Sequence, residues 1–219
     1  VAHLILVPVI AATVTLLVRA EFRKDMRTRY ILKPLSTLLI IAVALLSLLS
    51  PAANASFTMW VTVGLVLSLG GDVALMFESN PWFLAGLVLF LLAHVVYAIG
   101  FTLLNGFHPQ DLISGAVLLA AAVAVFFYLR PGLGSMQGPV VFYILVICFM
   151  VNRAVSTFFG DVFTVTQAWL LTLGAILFWL SDLVLAVNRF RHPFPANRLS
   201  LFLYFGGQLL IALSPSYFA

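Results

Sequence analysis

The chain has 219 residues, of which 63% are hydrophobic and only 8% charged, and its mean hydropathy is +1.17. A water-soluble domain carries about 45–50% apolar and about 25% charged residues, so a soluble globular fold is excluded and most side chains meet lipid or another helix. The single cysteine, Cys148, excludes a disulfide framework and a cysteine-based metal site, and the net charge of +4 reads as a membrane-topology signal, not as a nucleic-acid surface.

A spanning helix needs about 20 apolar residues. In chain order the stretches that qualify are 2–20, 31–49, 57–77, 82–104, 110–129, 138–157, 165–187 and 197–214. They predict an all-α, polytopic membrane bundle of about eight transmembrane helices, forming one domain over 1–219. The breaks carry turn chemistry: Ser50-Pro51, Asn80-Pro81, Asn105-Gly106, Arg130-Pro131-Gly132, Gly160-Asp161 and His192-Pro193. Every connection is short, so no soluble domain is inserted.

The basic residues orient the bundle. Arg19, Arg23, Lys24, Arg27, Arg29 and Lys33 flank the first connection, Arg130 the fifth, and Arg189, Arg191 and Arg198 the seventh. All are odd-numbered connections, and the even-numbered ones hold no Lys or Arg. The positive-inside rule makes the odd side cytoplasmic and places both termini on the non-cytoplasmic side. A bacterial inner membrane is the simplest setting. Arg153 alone departs from the pattern; it reads as an outer-interface side chain or a partner for Asp161, while Asp111 reads as a loop acid.

The third and seventh helices echo each other. The stretch from Gly64 to Leu75 aligns without gaps to that from Gly174 to Leu185, placing Asp72 on Asp182 at a constant offset of 110. With four helices per half, this predicts a parallel duplication with halves 1–105 and 106–219.

Ionisable residues inside a membrane cost at least about 2.5–3.5 kcal/mol near the helix centre and mark function by default. Asp72 and Asp182 each fall about five residues before the cytoplasmic end of a helix, or roughly 7 Å deep at 1.5 Å per residue. Lys33 opens the second helix from the same side, followed one turn on by Ser36 and Thr37. His94, Tyr97 and Phe101 form a stripe on the fourth helix, and Ser200, Tyr204 and Gln208 one on the eighth. Together these predict a polar pocket open to the cytoplasmic leaflet, with both carboxylates facing it. Hydrolase elbows, zinc-protease signatures, phosphate loops and dinucleotide fingerprints are absent. The intramembrane aspartyl-protease motif fails because position 69 is Leu, and the histidines lie at no zinc-ligand spacing.

Four motifs in order, Lys33-Pro34-Leu35-Ser36-Thr37, Gly71-Asp72-Val73-Ala74-Leu75, His94-Val95-Val96-Tyr97 and Ser181-Asp182-Leu183-Val184-Leu185, resemble the marks of the YhhN-like lysoplasmalogenase family of eight-helix membrane proteins. The resemblance covers nearly the whole chain. It implies a hydrolase that cleaves the vinyl ether bond of lysoplasmalogens (1-alkenyl-glycerophosphocholine or -ethanolamine) to a fatty aldehyde and a glycerophosphoalcohol. It carries Asp72 and Asp182 as catalytic residues, and Lys33, His94 and Tyr97 as site residues.

The chemistry suits the residues independently. A vinyl ether is hydrolysed by protonation at carbon, which creates an oxocarbenium ion that water captures, so one protonated acid and one carboxylate divide the labour as in glycoside hydrolysis. Two carboxyls in a low-dielectric pocket cannot easily both ionise, and such a pair holds a proton. Either aspartate could be the acid. Lys33 could hold the lipid phosphate or keep one aspartate ionised, while Tyr204 and Gln208 join the substrate-binding set. No cofactor and no metal are required. The alternative is a proton-coupled carrier of a small or lipid-like molecule, which matched membrane aspartates on duplicated halves would also serve. The expected partners are a lysophospholipid substrate and the bilayer, with oligomeric state left open.

Overall fold

The computed structural model describes residues 2–50, 53–77 and 79–218; the expected break at Pro51 lies outside them. Among the described residues eight α-helices follow one another: α1 (Leu6–Arg23), α2 (Met26–Leu46), α3 (Ala55–Ala74), α4 (Asn80–Asn105), α5 (Asp111–Leu133), α6 (Gln137–Ser156), α7 (Val165–Phe190) and α8 (Ser200–Leu213). No strand occurs among the described residues. Among the described residues six continuous helical stretches are long and apolar enough to cross a membrane, one of them running from Asp111 through the α5–α6 turn to Ser156. Helix α1, with Arg19, Glu21 and Arg23 crowded into its final turns, is not among them.

Local chemistry sets the boundaries that an apolar window misses. Helix α2 begins at Met26, not near 31, because Lys24 ends α1 in a left-handed conformation (φ 56°) and Asp25 caps the next helix. The Asp25 carboxylate accepts from Thr28 N at 3.2 Å and from Thr28 Oγ1 at 2.6 Å. Those bonds hold the Asp25 carboxyl below its usual range. Arg27 and Arg29 are therefore helical. Helix α5 continues through Pro131 to Leu133, and the turn falls at Gly134, whose φ of 51° suits glycine. Helix α7 opens on a capping box: Gln167 N donates to Thr164 Oγ1 at 3.2 Å and Thr164 N donates to Gln167 Oε1 at 2.9 Å.

Large apolar side chains lie on the outside as well as in the core, and several charged and polar ones are buried. Leu38, Val66, Leu103, Phe127, Phe142 and Trp169 face outward, whereas Lys33, Asp72, His94, Arg153, Gln167 and Gln208 are buried. An outer apolar belt with the polar groups drawn inside among apolar packing is the arrangement that lipid selects, since hydrocarbon offers polar groups no partner.

Cross-chain contacts gather the odd connections at one end. Arg29 reaches Leu75 O at 3.5 Å, Arg189 reaches Asn80 Oδ1 at 2.7 Å, and Arg191 and Arg198 lie over the rings of Tyr128 and Phe22. The C-terminal turn sits at the other end, where Thr164 Oγ1 donates to Tyr217 O at 3.2 Å. Helix α3 packs closely on α4, and α7 on α8, through glycines. A methyl on Gly71 would lie 2.7 Å from Phe90 Cε2, and one on Gly174 would lie 2.8 Å from Gly207 O.

Candidate active site

Asp72 sits near the basic end of α3, buried with 1% exposure. Thr37 Oγ1 from α2 donates to its Oδ2 at 2.6 Å, and Tyr204 from α8 donates to the same oxygen at 2.7 Å. Lys33 Nζ lies 3.4 Å from Oδ1 and 3.3 Å from the Asp72 carbonyl oxygen. The network extends inward: Gln208 Nε2 donates to Tyr204 Oη at 3.5 Å, and Tyr97 donates to Gln208 Oε1 at 2.9 Å. Thus Lys33, Asp72, Tyr204, Gln208 and Tyr97 form one continuous set, with Lys33 committed to the aspartate and not free at an interface.

Asp182 lies on α7 with a different set. Tyr143 from α6 donates to its Oδ2 at 2.5 Å, and His94 Nε2 from α4 stands 3.8 Å from the same oxygen. His94 is fully buried, and neither of its ring nitrogens has a hydrogen-bond partner among the described residues. The Asp182 side chain is 14% exposed.

Three positions of the two sets correspond. Lys33 and Tyr143 are offset by 110, as are Asp72 and Asp182, and as are His94 and Tyr204. Each aspartate is held by the residue 39 places before it, Lys33 or Tyr143. Each also meets a residue from the other half, Tyr204 for Asp72 and His94 for Asp182. Phe178 separates the sets, its ring centroid 4.6 Å from His94 and 5.3 Å from Tyr204.

The Asp182 set meets a cavity. A cavity of about 650 Å³, counting its open part, lies between α4, α5, α6 and α7 in the basic half of the bundle. Its walls are mostly apolar (Leu87, Leu129, Ile144, Ala186 and others), and Asp182, Tyr143 and Trp179 are the lining residues that carry polar side-chain atoms. Phe83 and Phe190 line its basic end, packed edge to face with centroids 6.1 Å apart. Asp72, Lys33, His94, Tyr97, Tyr204 and Gln208 are not among the lining residues. The expected common hollow for both carboxylates is therefore replaced by two neighbouring sites with an aromatic partition, of which the Asp182 site meets the cavity.

Tyr143 is the site residue that the sequence reading omits. It carries no local signal of its own, but the offset that pairs the aspartates maps Lys33 onto it. A second correction concerns Arg153, which is neither at the outer interface nor bonded to Asp161. It is fully buried and pairs with Asp111 Oδ2 at 2.5 Å, while Nε donates to Thr102 Oγ1 at 3.0 Å and Nη2 to Ser156 Oγ at 3.0 Å and to Gly106 O. Asp111, expected as a loop acid, is half of this clamp on the α4–α5 connection. No group of three or more His, Cys, Asp or Glu gathers as a metal site among the described residues.

Comparisons with known proteins bear on the family of the chain. The YhhN family profile matches residues 28–215. Over 159 residues, 69% of this chain, it is 34% identical to lysoplasmalogenase TMEM86A of Bos taurus and equally to its Homo sapiens counterpart. It is 32% identical to human lysoplasmalogenase TMEM86B over 168 residues, 76% of the chain and 66% of that protein. The matched region spans 63% of the length of the bovine and human TMEM86A proteins. No solved structure gives a significant match. The chain is an all-helical, multi-pass membrane protein and belongs to the YhhN family.

Proposed function

We propose that this protein is a lysoplasmalogenase-like hydrolase and that Asp182 is the acid that meets the substrate. The observation that carries the reading is the place of Asp182 among the lining residues of an otherwise apolar cavity, the pairing of apolar walls with a few polar groups that ligand sites show. The alkenyl chain lies along the apolar walls with its vinyl ether beside Asp182. Asp182 transfers its proton to the chain's second carbon, and positive charge develops on the first carbon and the ether oxygen. The carboxylate left behind faces that charge. Water then bonds to the first carbon and returns a proton to Asp182, giving a hemiacetal. The hemiacetal opens with cleavage of the bond between that carbon and the glycerol oxygen, its hydroxyl proton passing to that oxygen. The products are a fatty aldehyde and a glycerophosphoalcohol. General acid–base transfer of this kind contributes about 10²–10⁴-fold.

Tyr143 fixes one Asp182 oxygen through its 2.5 Å bond, leaving the other for proton transfer. Asp72 acts through position: paired with Lys33 and bonded by Thr37 and Tyr204, it ties α2, α3 and α8 behind the aromatic partition. The matching offsets support a duplication in which one carboxylate site kept a path to lipid and the other became a charge-balanced tie.

The test uses purified protein and a lysoplasmalogen in D₂O, with the aldehyde trapped at once by reduction. The expected product carries one deuterium at carbon 2, because proton transfer to carbon makes that bond. Lipid binding without any aldehyde would instead indicate a carrier.

A further inference from the structure

We propose that Arg189, at the mouth of the cavity, is the subsite for the substrate's phosphate, so that the lipid enters with its headgroup at the basic end and its chain inward. The inference rests on the proposed lysophospholipid substrate and deepens it. Lys33, the cation nearest to hand in the sequence, is 6% exposed and committed to Asp72, and it does not line the cavity. A phosphate at this end needs another partner.

Arg189 meets the requirements of place, charge and reach. It stands seven residues after Asp182 on α7, two turns along the same face, and Ala186 and Phe190 beside it line the cavity. Its guanidinium carbon lies 4.8 Å from the ring centroid of Phe83, itself a cavity wall, and its Nη2 donates to Asn80 Oδ1 at 2.7 Å. The planar group is thus oriented by a ring and an amide. Among the described residues no carboxylate lies within ion-pair distance of it. Arginine in such a setting presents paired donors that match phosphate oxygens.

The spacing fits the ligand. Seven residues of helix rise about 10 Å, and an arginine side chain leans back toward the helix N-terminus, here toward Asp182. In a lysophospholipid five bonds separate the vinyl ether oxygen from phosphorus, about 6 Å when extended at ordinary bond lengths. With a guanidinium–phosphorus contact of about 4 Å in a bidentate pair, an ether at Asp182 places its phosphate at Arg189.

The experiment uses the full chain in nanodiscs and two uncleavable probes, 1-hexadecyl-lysophosphoethanolamine and 1-hexadecylglycerol, which differ in the phosphate headgroup. Binding is read by calorimetry for wild type, Arg189→Gln, Arg189→Lys and Arg23→Gln, the last removing an exposed charge from the same end but away from the cavity. Wild type should prefer the phosphate-bearing probe. Arg189→Gln should weaken that probe about ten-fold, the scale of a charge-assisted hydrogen bond, and leave 1-hexadecylglycerol unchanged. Arg189→Lys should recover part of the loss, and Arg23→Gln should resemble wild type. The proposal is overturned if wild type shows no preference, if Arg189→Gln keeps it, or if Arg23→Gln erodes it equally. It is likewise overturned in favour of a free-phosphate site if inorganic phosphate alone binds at Arg189 as tightly as the lipid. Aldehyde release is scored separately: its absence removes the hydrolase reading while the binding result still decides the subsite.

Discussion

Lys33 and Tyr143, offset by 110 residues, each reach the aspartate 39 positions further on. One contact is an ion pair buried away from the cavity and the other a hydrogen bond at the cavity wall. Positions 110 apart thus carry different chemistry, and the hydrogen-bonded carboxylate is the one that lines the cavity.

That distinction separates the effects of the two aspartates. Asp72→Asn leaves Lys33 buried without its countercharge, a loss on the order of 3–5 kcal/mol when one partner of a buried pair is removed. The variant should melt at a lower temperature in detergent and lose activity with its fold. Adding Lys33→Met should restore much of the melting temperature. A double variant as unstable as Asp72→Asn alone would show that the pair does not carry the tie.

Tyr143→Phe removes the donor to Asp182 but keeps the ring on the cavity wall. Loss of one buried hydrogen bond to the protonated acid, worth about 0.5–1.5 kcal/mol, should lower kcat by a few-fold up to about ten-fold if that energy positions the acid. KM should stay near wild type. A change confined to KM would make Tyr143 a binding residue.

Ala186 lines the cavity one turn from Asp182, so Ala186→Phe should fill the space meant for the chain. KM should rise for long-chain lysoplasmalogens and much less for short-chain ones, measured as a series at fixed headgroup. Equal effects at every length would place the chain elsewhere.

The Arg153–Asp111 pair lies at the opposite end from the cavity. Asp111→Asn should cost about 3 kcal/mol, since it strands a buried guanidinium, and should appear as a lower melting temperature. Turnover per folded molecule should be unchanged at a temperature well below the melt. A selective loss of kcat would connect that end to the chemistry.

Composition alone made the all-helical membrane bundle legible, because lipid leaves helices as the economical way to bury backbone polar groups in a chain of this pattern. The α2 start escaped, since its first turn is polar and is held by Asp25, not by apolar periodicity. The aspartates announced themselves as charges in apolar helices. Tyr143 did not, because one tyrosine among six is unremarked until the offset is applied to Lys33. The partition by Phe178 was illegible for another reason: which side of a ring faces which neighbour depends on helix rotation, and rotation is set by glycine contacts such as Gly71 with Phe90 and Gly174 with Gly207. Arg153 was misassigned because depth in a helix does not reveal a partner on the next one.

The central claim is that the Asp182 carboxyl delivers the proton that breaks the vinyl ether. It is tested most directly by the single-turnover rate of aldehyde release from purified Asp182→Asn that melts like wild type and binds the saturated-ether analogue with unchanged affinity. The account predicts a fall of at least about 10²-fold, the lower bound for loss of a general acid. Release at the wild-type rate by such a protein would contradict it.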